Sequence, residues 1–346
     1  MKLTKLCAIA TALALVSIPL FAAEEKSPLK FSINVQAAYY PDNAHLTTLE
    51  DGVEADHYSP IIGAYSGLAG RITPKVEYTL KTPLGDNWLV SGANVNFSAW
   101  MGITPVSICP GASVSFTPLP FLVFSAGGET GTGWNVGDLF KGGMGLWLND
   151  NSLDPKNNNN YGTSPFTNWY YKTWFQGTFQ FDTGAIIKGD WTHVLMLFTY
   201  QAYYKGYSGA QNGELWTWNC SGNQANGWYE YMNAILAYQL PTPVLKRVGL
   251  MFESEGAYSA SVYERETYMG NFKEISLEPL FQFDFDKHNS LVVLFHFKSR
   301  RAYDTVAVYE DADRNLGTPE AAMFGSTVVG REWFFNRVAL SYTYTF

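Results

Sequence analysis

The chain ends on the stretch R331-E-W-F-F-N-R-V-A-L-S-Y-T-Y-T-F346. Counting back by twos from the last residue gives Phe346, Tyr344, Tyr342, Leu340 and Val338, all apolar or aromatic. The residues between them, Thr345, Thr343, Ser341, Ala339 and Arg337, are small or polar. That is a strand with one oily and one wet face, since successive side chains point to opposite sides of a pleated strand. A half-buried strand in a water-soluble sheet usually runs about 5–6 residues. This alternation lasts about 10, the length a tilted strand needs to cross a bilayer.

A closing strand of this pattern, with Tyr342 and Tyr344 at alternate positions and phenylalanine as the last residue, resembles the C-terminal strand of bacterial outer-membrane β-barrels. The resemblance implies an all-β, transmembrane, antiparallel up-and-down barrel set in outer-membrane lipid. It also implies that Val338, Leu340, Tyr342, Tyr344 and Phe346 form the signal read by the barrel-assembly machinery. It extends to an architecture along most of the chain and singles out no subfamily.

The start of the chain fits export. Lys2 and Lys5 precede an apolar run, Leu6–Leu20, and the small pair Ala22 and Ala23 precedes Glu24. This order predicts a secretory signal peptide over residues 1–23, leaving one barrel domain over 24–346. Pro19 and the short core argue against a lone spanning helix. Elsewhere no run approaches 18 apolar residues. Yet the chain is 47% hydrophobic and 16% aromatic, as expected where aromatic girdles mark two membrane interfaces. The formal net charge of -8 argues against nucleic acid as a partner. The exported location permits a Cys109–Cys220 disulfide; unpaired cysteines are the alternative.

Alternation predicts further strands near 29–40, 68–81, 88–101, 106–117, 121–129, 169–182, 191–204, 228–240, 248–259, 275–285 and 291–301. With the last, that makes about twelve; ten or fourteen also fit, because the third to fifth are weakly patterned. Pro74 predicts a local bulge. Connections after the second, fourth, sixth, eighth and tenth strands are short. Those after the first, fifth, seventh and eleventh are long. Short periplasmic turns and long outer loops are the habit of such barrels, so both termini are expected in the periplasm.

The expected inward residues carry charge in two arcs. Glu230, Glu253, Glu255, Glu274, Glu278 and Asp284 form the acidic one. Lys298, Arg300, Arg337, Lys30, Arg71, Lys75 and Lys81 form the basic one. An acidic arc abutting a basic one would line a constriction that orients small hydrophilic solutes in a narrow channel, because rings of charge set pore selectivity. The alternative is that these charges pair and plug a barrel whose long loops serve adhesion or surface binding. A trimer is the general porin habit, but no oligomer interface is legible.

Catalysis is not indicated. His193 and His296 lie on strands without a matching serine, and His45, Asp56 and His57 sit in an acidic loop. A hydrolase needs a nucleophile, base and orienting group in hydrogen-bond reach. No metal-ligand spacing and no cofactor motif is present. Trp134, Trp147, Trp169, Trp216, Trp218 and Trp228 cluster at the long-loop end; for Trp216 and Trp218 the choice is between packing the loop and stacking on sugar rings.

Overall fold

The computed structural model describes residues 28–41, 45–48, 54–57, 67–134 (without 83, 86 and 88), 145–149, 166–264 (without 220), 269–303 and 328–346. The predicted signal peptide lies outside them. No helix among the described residues is long and apolar enough to cross a membrane.

Twelve antiparallel strands close on themselves. They are β1 (Leu29–Tyr40), β2 (Gly67–Lys81), β3 (Asn94–Thr104), β4 (Ser107–Leu119), β5 (Leu122–Gly133), β6 (Tyr170–Asp182), β7 (Val194–Tyr207), β8 (Gly227–Gln239), β9 (Leu245–Ala257), β10 (Glu274–Asp284), β11 (Asn289–Tyr303) and β12 (Val328–Thr345). Each pairs with its neighbours in sequence, and β1 pairs with β12 to seal the barrel, for example Val35 opposite Tyr342. Closure leaves no sheet edge unpaired, the condition for a sheet in hydrocarbon. The third strand begins at Asn94, later than its sequence suggests, because residues 89–93 form a turn that hands Ala93 N–H to the Val90 carbonyl.

The outer face carries the apolar residues. Phe31, Val35, Ile72, Phe97, Val114, Phe175, Phe198, Leu236, Leu250 and Leu340 all stand exposed. An exposed apolar band around a closed barrel is a transmembrane surface, far larger than the patches of a water-soluble monomer. Tyr39, Trp228 and Trp333 sit on the same face towards the long-loop end. All the long connections lie at that end, and the chain enters and leaves at the other.

Four prolines fall inside strands, and Pro118 lies where β4 carries one extra residue between Phe116 and Leu119. At Pro74, Pro110 and Pro279 the ladder to one neighbour is interrupted, yet the register on both sides is unchanged. The expected bulge at Pro74 is therefore absent. A missing N–H removes a rung without adding a residue. Register shifts occur elsewhere, in β4 between Phe116 and Leu119, in β9 between Leu245 and Arg247, and twice in β12, where one matters for the interior. His296 pairs with Arg337, but Phe297 pairs with Phe335, so Asn336 is an extra residue. It leaves both Asn336 and Arg337 facing inward and buried, and it is where the alternation of the closing strand stops.

The turn between β10 and β11 is set by Asp286. Its carboxylate accepts the backbone N–H groups of His288 (2.7 Å) and Asn289 (2.9 Å). These bonds, with the Asn289 side chain, hold the Asp286 carboxyl below the usual carboxylate range.

Candidate functional site: the barrel interior

The inner wall is asymmetric. On β3 to β6 most inward residues are small or polar, with Trp100 and Trp174 among them. One row around the wall runs Asn96, Ser115, Ser125, Gln176, and the next runs Ser98, Ser113, Gly127, Trp174. Their hydroxyls bond along the wall, Ser98 to Ser113 at 2.8 Å. All are partly exposed, so they border an accessible interior.

The glycines of this wall have a specific use. A Cβ on Gly111 would lie 2.5 Å from the Trp100 ring, and one on Gly127 would lie 2.4 Å from the Trp174 ring. Both indoles thus lie flat against the backbone of the neighbouring strand. Their centroids are 6.0 Å apart, which makes an aromatic floor beside the serines. The Arg71 guanidinium covers Gly102 in the same way. Gly127→Ala should therefore cost about 1–3 kcal/mol through overpacking, read as a lower unfolding midpoint, because the Ala112 carbonyl also stands 2.8 Å from the new Cβ.

The opposite wall is filled. Leu195, Leu197, Ile235, Met251, Leu280 and Leu294 pack as one cluster with Ala38, Ala69, Ala237 and Ala339. Between this cluster and the long-loop end lies a layer of charge and tyrosine. Tyr203 donates to Glu255 and Tyr231 to Glu253. Lys298 pairs with Glu274 at 2.6 Å. Lys172 lies over the Tyr203 ring at 3.9 Å and Lys205 over Tyr229 at 4.0 Å. Arg300 is paired with Glu332, and Arg337 donates to the Tyr40 hydroxyl at 3.0 Å.

The expected acidic and basic arcs are placed as follows. Lys30, Arg71, Lys75, Lys81, Glu253, Glu255, Glu274, Glu278, Asp284, Lys298, Arg300 and Arg337 all stand at inward positions of their strands. The acids lie on β9 and β10 and the bases on β11, β12, β1 and β2, which follow one another around the barrel; Lys298 meets Glu274 where the two groups abut, while Arg300 pairs with Glu332 and Lys75 with Glu77 at 2.8 Å.

Glu230 is a correction. On β8 the buried, inward positions are Tyr229, Tyr231, Asn233, Ile235 and Ala237. Glu230 shares the outer face with Trp228 and Leu236. It sits near the long-loop end, where Lys273 reaches it at 2.7 Å and the Tyr200 hydroxyl at 2.8 Å. Both faces of this strand mix apolar and polar residues, so charge was a misleading guide to orientation; at an interface a carboxylate with a lysine and a tyrosine beside it can face outward.

The charged arcs expected from the sequence leave out several inward groups. Lys172, Lys205 and Glu129 form one cross-strand row with Gly111 and Trp100. Asp182 and His193 pair at 2.8 Å across the turn from β6 to β7. The Asp182 side chain also accepts from Gly184 N–H, so the pair closes a turn. The signal available for Trp100 and Trp174 was a glycine directly opposite each, a pairing in which the ring covers bare backbone.

The loop residues divide clearly. Trp216 is 0% exposed and Trp218 stacks on Tyr170 with centroids 4.5 Å apart. They pack with Cys109, Leu146 and Tyr207 inside the mouth. This settles them as packing residues of a small sheet formed by Leu146–Asn149, Leu215–Trp218 and Ser221–Gln224. Asn219 anchors the sheet through Ser107 at 2.6 Å. Trp169 and Trp228 are exposed girdle residues, and Trp134 donates to the Pro105 carbonyl. The Trp147 side chain lies outside what is described. Cys109 is a buried thiol packed with Trp218 and Tyr170; the possible bridge to Cys220 falls on a residue outside those described. His45 and His57 are register partners in a two-stranded hairpin whose side chains are likewise outside.

No family model matches the chain, and no curated relative does. Solved structures with a similar outline include the KdgM porin, 8% identical over 91% of this chain and 99% of that one, TM-score 0.34. The β domain of the Bordetella autotransporter Brka is 9% identical, covering 92% and 99%, TM-score 0.41. The outer membrane channel DcaP of Acinetobacter baumannii is 11% identical, covering 92% and 96%, TM-score 0.33. Similarity at this level carries nothing to the present chain, whose fold rests on its own strand register.

Proposed function

We propose that the protein is a bacterial outer-membrane channel through which small hydrophilic solutes diffuse passively. One observation carries this reading: the inner wall of β3 to β6 holds serine, glycine, asparagine and glutamine in two adjacent, partly exposed rows, facing a filled opposite wall. Barrels of about eight strands fill with their own side chains, whereas sixteen to eighteen leave a wide channel. Twelve strands packed on one side leave a narrow, off-centre path. The hydroxyls and amides of Ser98, Ser113, Ser125 and Gln176 can replace part of a solute's hydration, and the rings of Trp100 and Trp174 offer it a flat apolar face.

The long-loop end faces the cell exterior in this reading, with the termini in the periplasm. The segment 1–23 serves as the export signal, and the C-terminal strand serves as the assembly signal. The packed loop sheet narrows the mouth. Trp216→Ala should loosen it, since deleting a buried tryptophan costs about 3–5 kcal/mol. The expected result is a larger conductance, read in planar bilayers, with the barrel itself intact.

Swelling of liposomes that contain the refolded protein tests the reading. Uptake of small polyols and monosaccharides that falls steeply with solute size is expected. Liposomes that behave like protein-free ones would contradict it.

A further inference from the structure

We propose that Glu253, Glu278 and His296 form a binding site for one divalent transition-metal ion, of the zinc class, inside the barrel wall. The three residues come from adjacent strands β9, β10 and β11. One ligand atom from each lies within 4.8 Å of the other two, and all three residues are buried. His296 Nε2 is 3.2 Å from Glu278 Oε1. Two ligands at about 2.0–2.2 Å on a tetrahedral ion stand roughly that far apart.

Hydrogen bonding leaves the cluster incomplete. Glu278 is 0% exposed, and its Oε2 has no hydrogen-bond partner. His296 Nε2, though close to a carboxylate, is not aligned for a hydrogen bond. The Ser276 hydroxyl stands 3.2 Å from Glu253 Oε2 and 3.0 Å from Glu278 Oε1, and it has one proton for both. Buried polar atoms are nearly always satisfied, so orphans gathered in one cluster of potential ligands ask for an occupant.

Charge asks for the same thing. Two carboxylates lie side by side, and the adjacent cation is Arg337, cross-strand from His296. Lys298 is engaged by Glu274. One buried negative charge is left over, which a cation or a proton must offset. The histidine decides for the cation: nitrogen with carboxylate oxygens is a zinc-type donor set. Asn336, the bulge residue of β12, sits 3.1 Å from His296 Nδ1, and its own Oδ1 has no partner. Its amide oxygen and nitrogen are interchangeable by rotation. With the oxygen turned to Nδ1 it would hold the ring proton there and present the bare Nε2 to the ion, as outer-sphere groups do around metal histidines. Asn233, cross-strand from Glu253, has another unpartnered oxygen.

The test uses the refolded full barrel in detergent, with Zn2+ as the probe, followed by desalting and metal analysis. Wild type should retain about one Zn2+ per chain, and Zn2+ should raise its unfolding midpoint by mass action. Glu278→Gln keeps the shape and removes the surplus charge, so its barrel should form. It should bind Zn2+ at least tenfold more weakly and lose the Zn2+-dependent shift, as should His296→Gln. The proposal is overturned if wild type retains no Zn2+, the two carboxylates then sharing a proton. It is equally overturned if both variants bind and are stabilised like wild type, the ion then sitting elsewhere.

Discussion

Leu250→Arg should destabilise the folded barrel by about 2–4 kcal/mol in lipid vesicles. Leu250 stands on the outer face near the middle of β9, opposite Leu236 on β8 and Pro279 on β10. Leu236 is itself 58% exposed, and Met196 continues the row. Leu250, Leu236 and Met196 flank one another but leave about half of each residue uncovered by the described protein, for lipid tails to cover. A guanidinium placed there must leave water or drag water and headgroups inward. The effect depends on depth, which gives the control. Trp228→Arg, at the long-loop end of β8, should lose less than about 1 kcal/mol to the charge, because the interface tolerates it. Reversible denaturant unfolding of the two variants beside wild type measures both. Equal losses at the two positions would mean that the band does not lie in a bilayer.

The second large effect is expected inside. Arg337→Met should cost about 3–5 kcal/mol, the usual loss when one partner of a buried charge group is removed. The guanidinium is buried, donates to Tyr40, and faces Glu278 and Glu253 across the bulge. Methionine fills much of the space but leaves the carboxylates without their cation. Adding Glu278→Gln to Arg337→Met should recover part of the loss. The double-mutant cycle, read from unfolding midpoints, should show a coupling of about 0.5–3 kcal/mol. Strict additivity would mean that Arg337 acts through packing alone.

The closing strand shows why so much of this fold can be read from sequence. A strand with lipid on one side and a polar interior on the other must alternate, and Val338 to Phe346 do so without exception. Long strands such as β1 and β2 obey the same rule, and loop length separates the two ends. The pattern weakened where one face stopped being distinctive. On β3 to β5 the inner residues are serines and glycines, which lie against large rings instead of marking a face by their own character. On β8 both faces carry tyrosine and aliphatic residues, so Glu230 was turned the wrong way. At Asn336 a bulge shifts the parity, and no residue type announces it. The interior was legible as charges assigned to strands but not as individual pairs. Which acid meets which base depends on register, and tyrosines such as Tyr203 and Tyr231 complete the pairs from positions that composition alone cannot single out.

The most direct test of the off-centre polar path is single-channel conductance of the refolded mature protein in a planar bilayer, wild type beside Ser113→Trp. Ser113 faces the interior midway along β4, opposite Ser98 and Gly127. The expected result is discrete conductance steps for wild type, with steps several-fold smaller or absent for the variant, although its barrel still forms. A folded, heat-modifiable wild type that never conducts, or a variant whose steps match those of wild type, would contradict it.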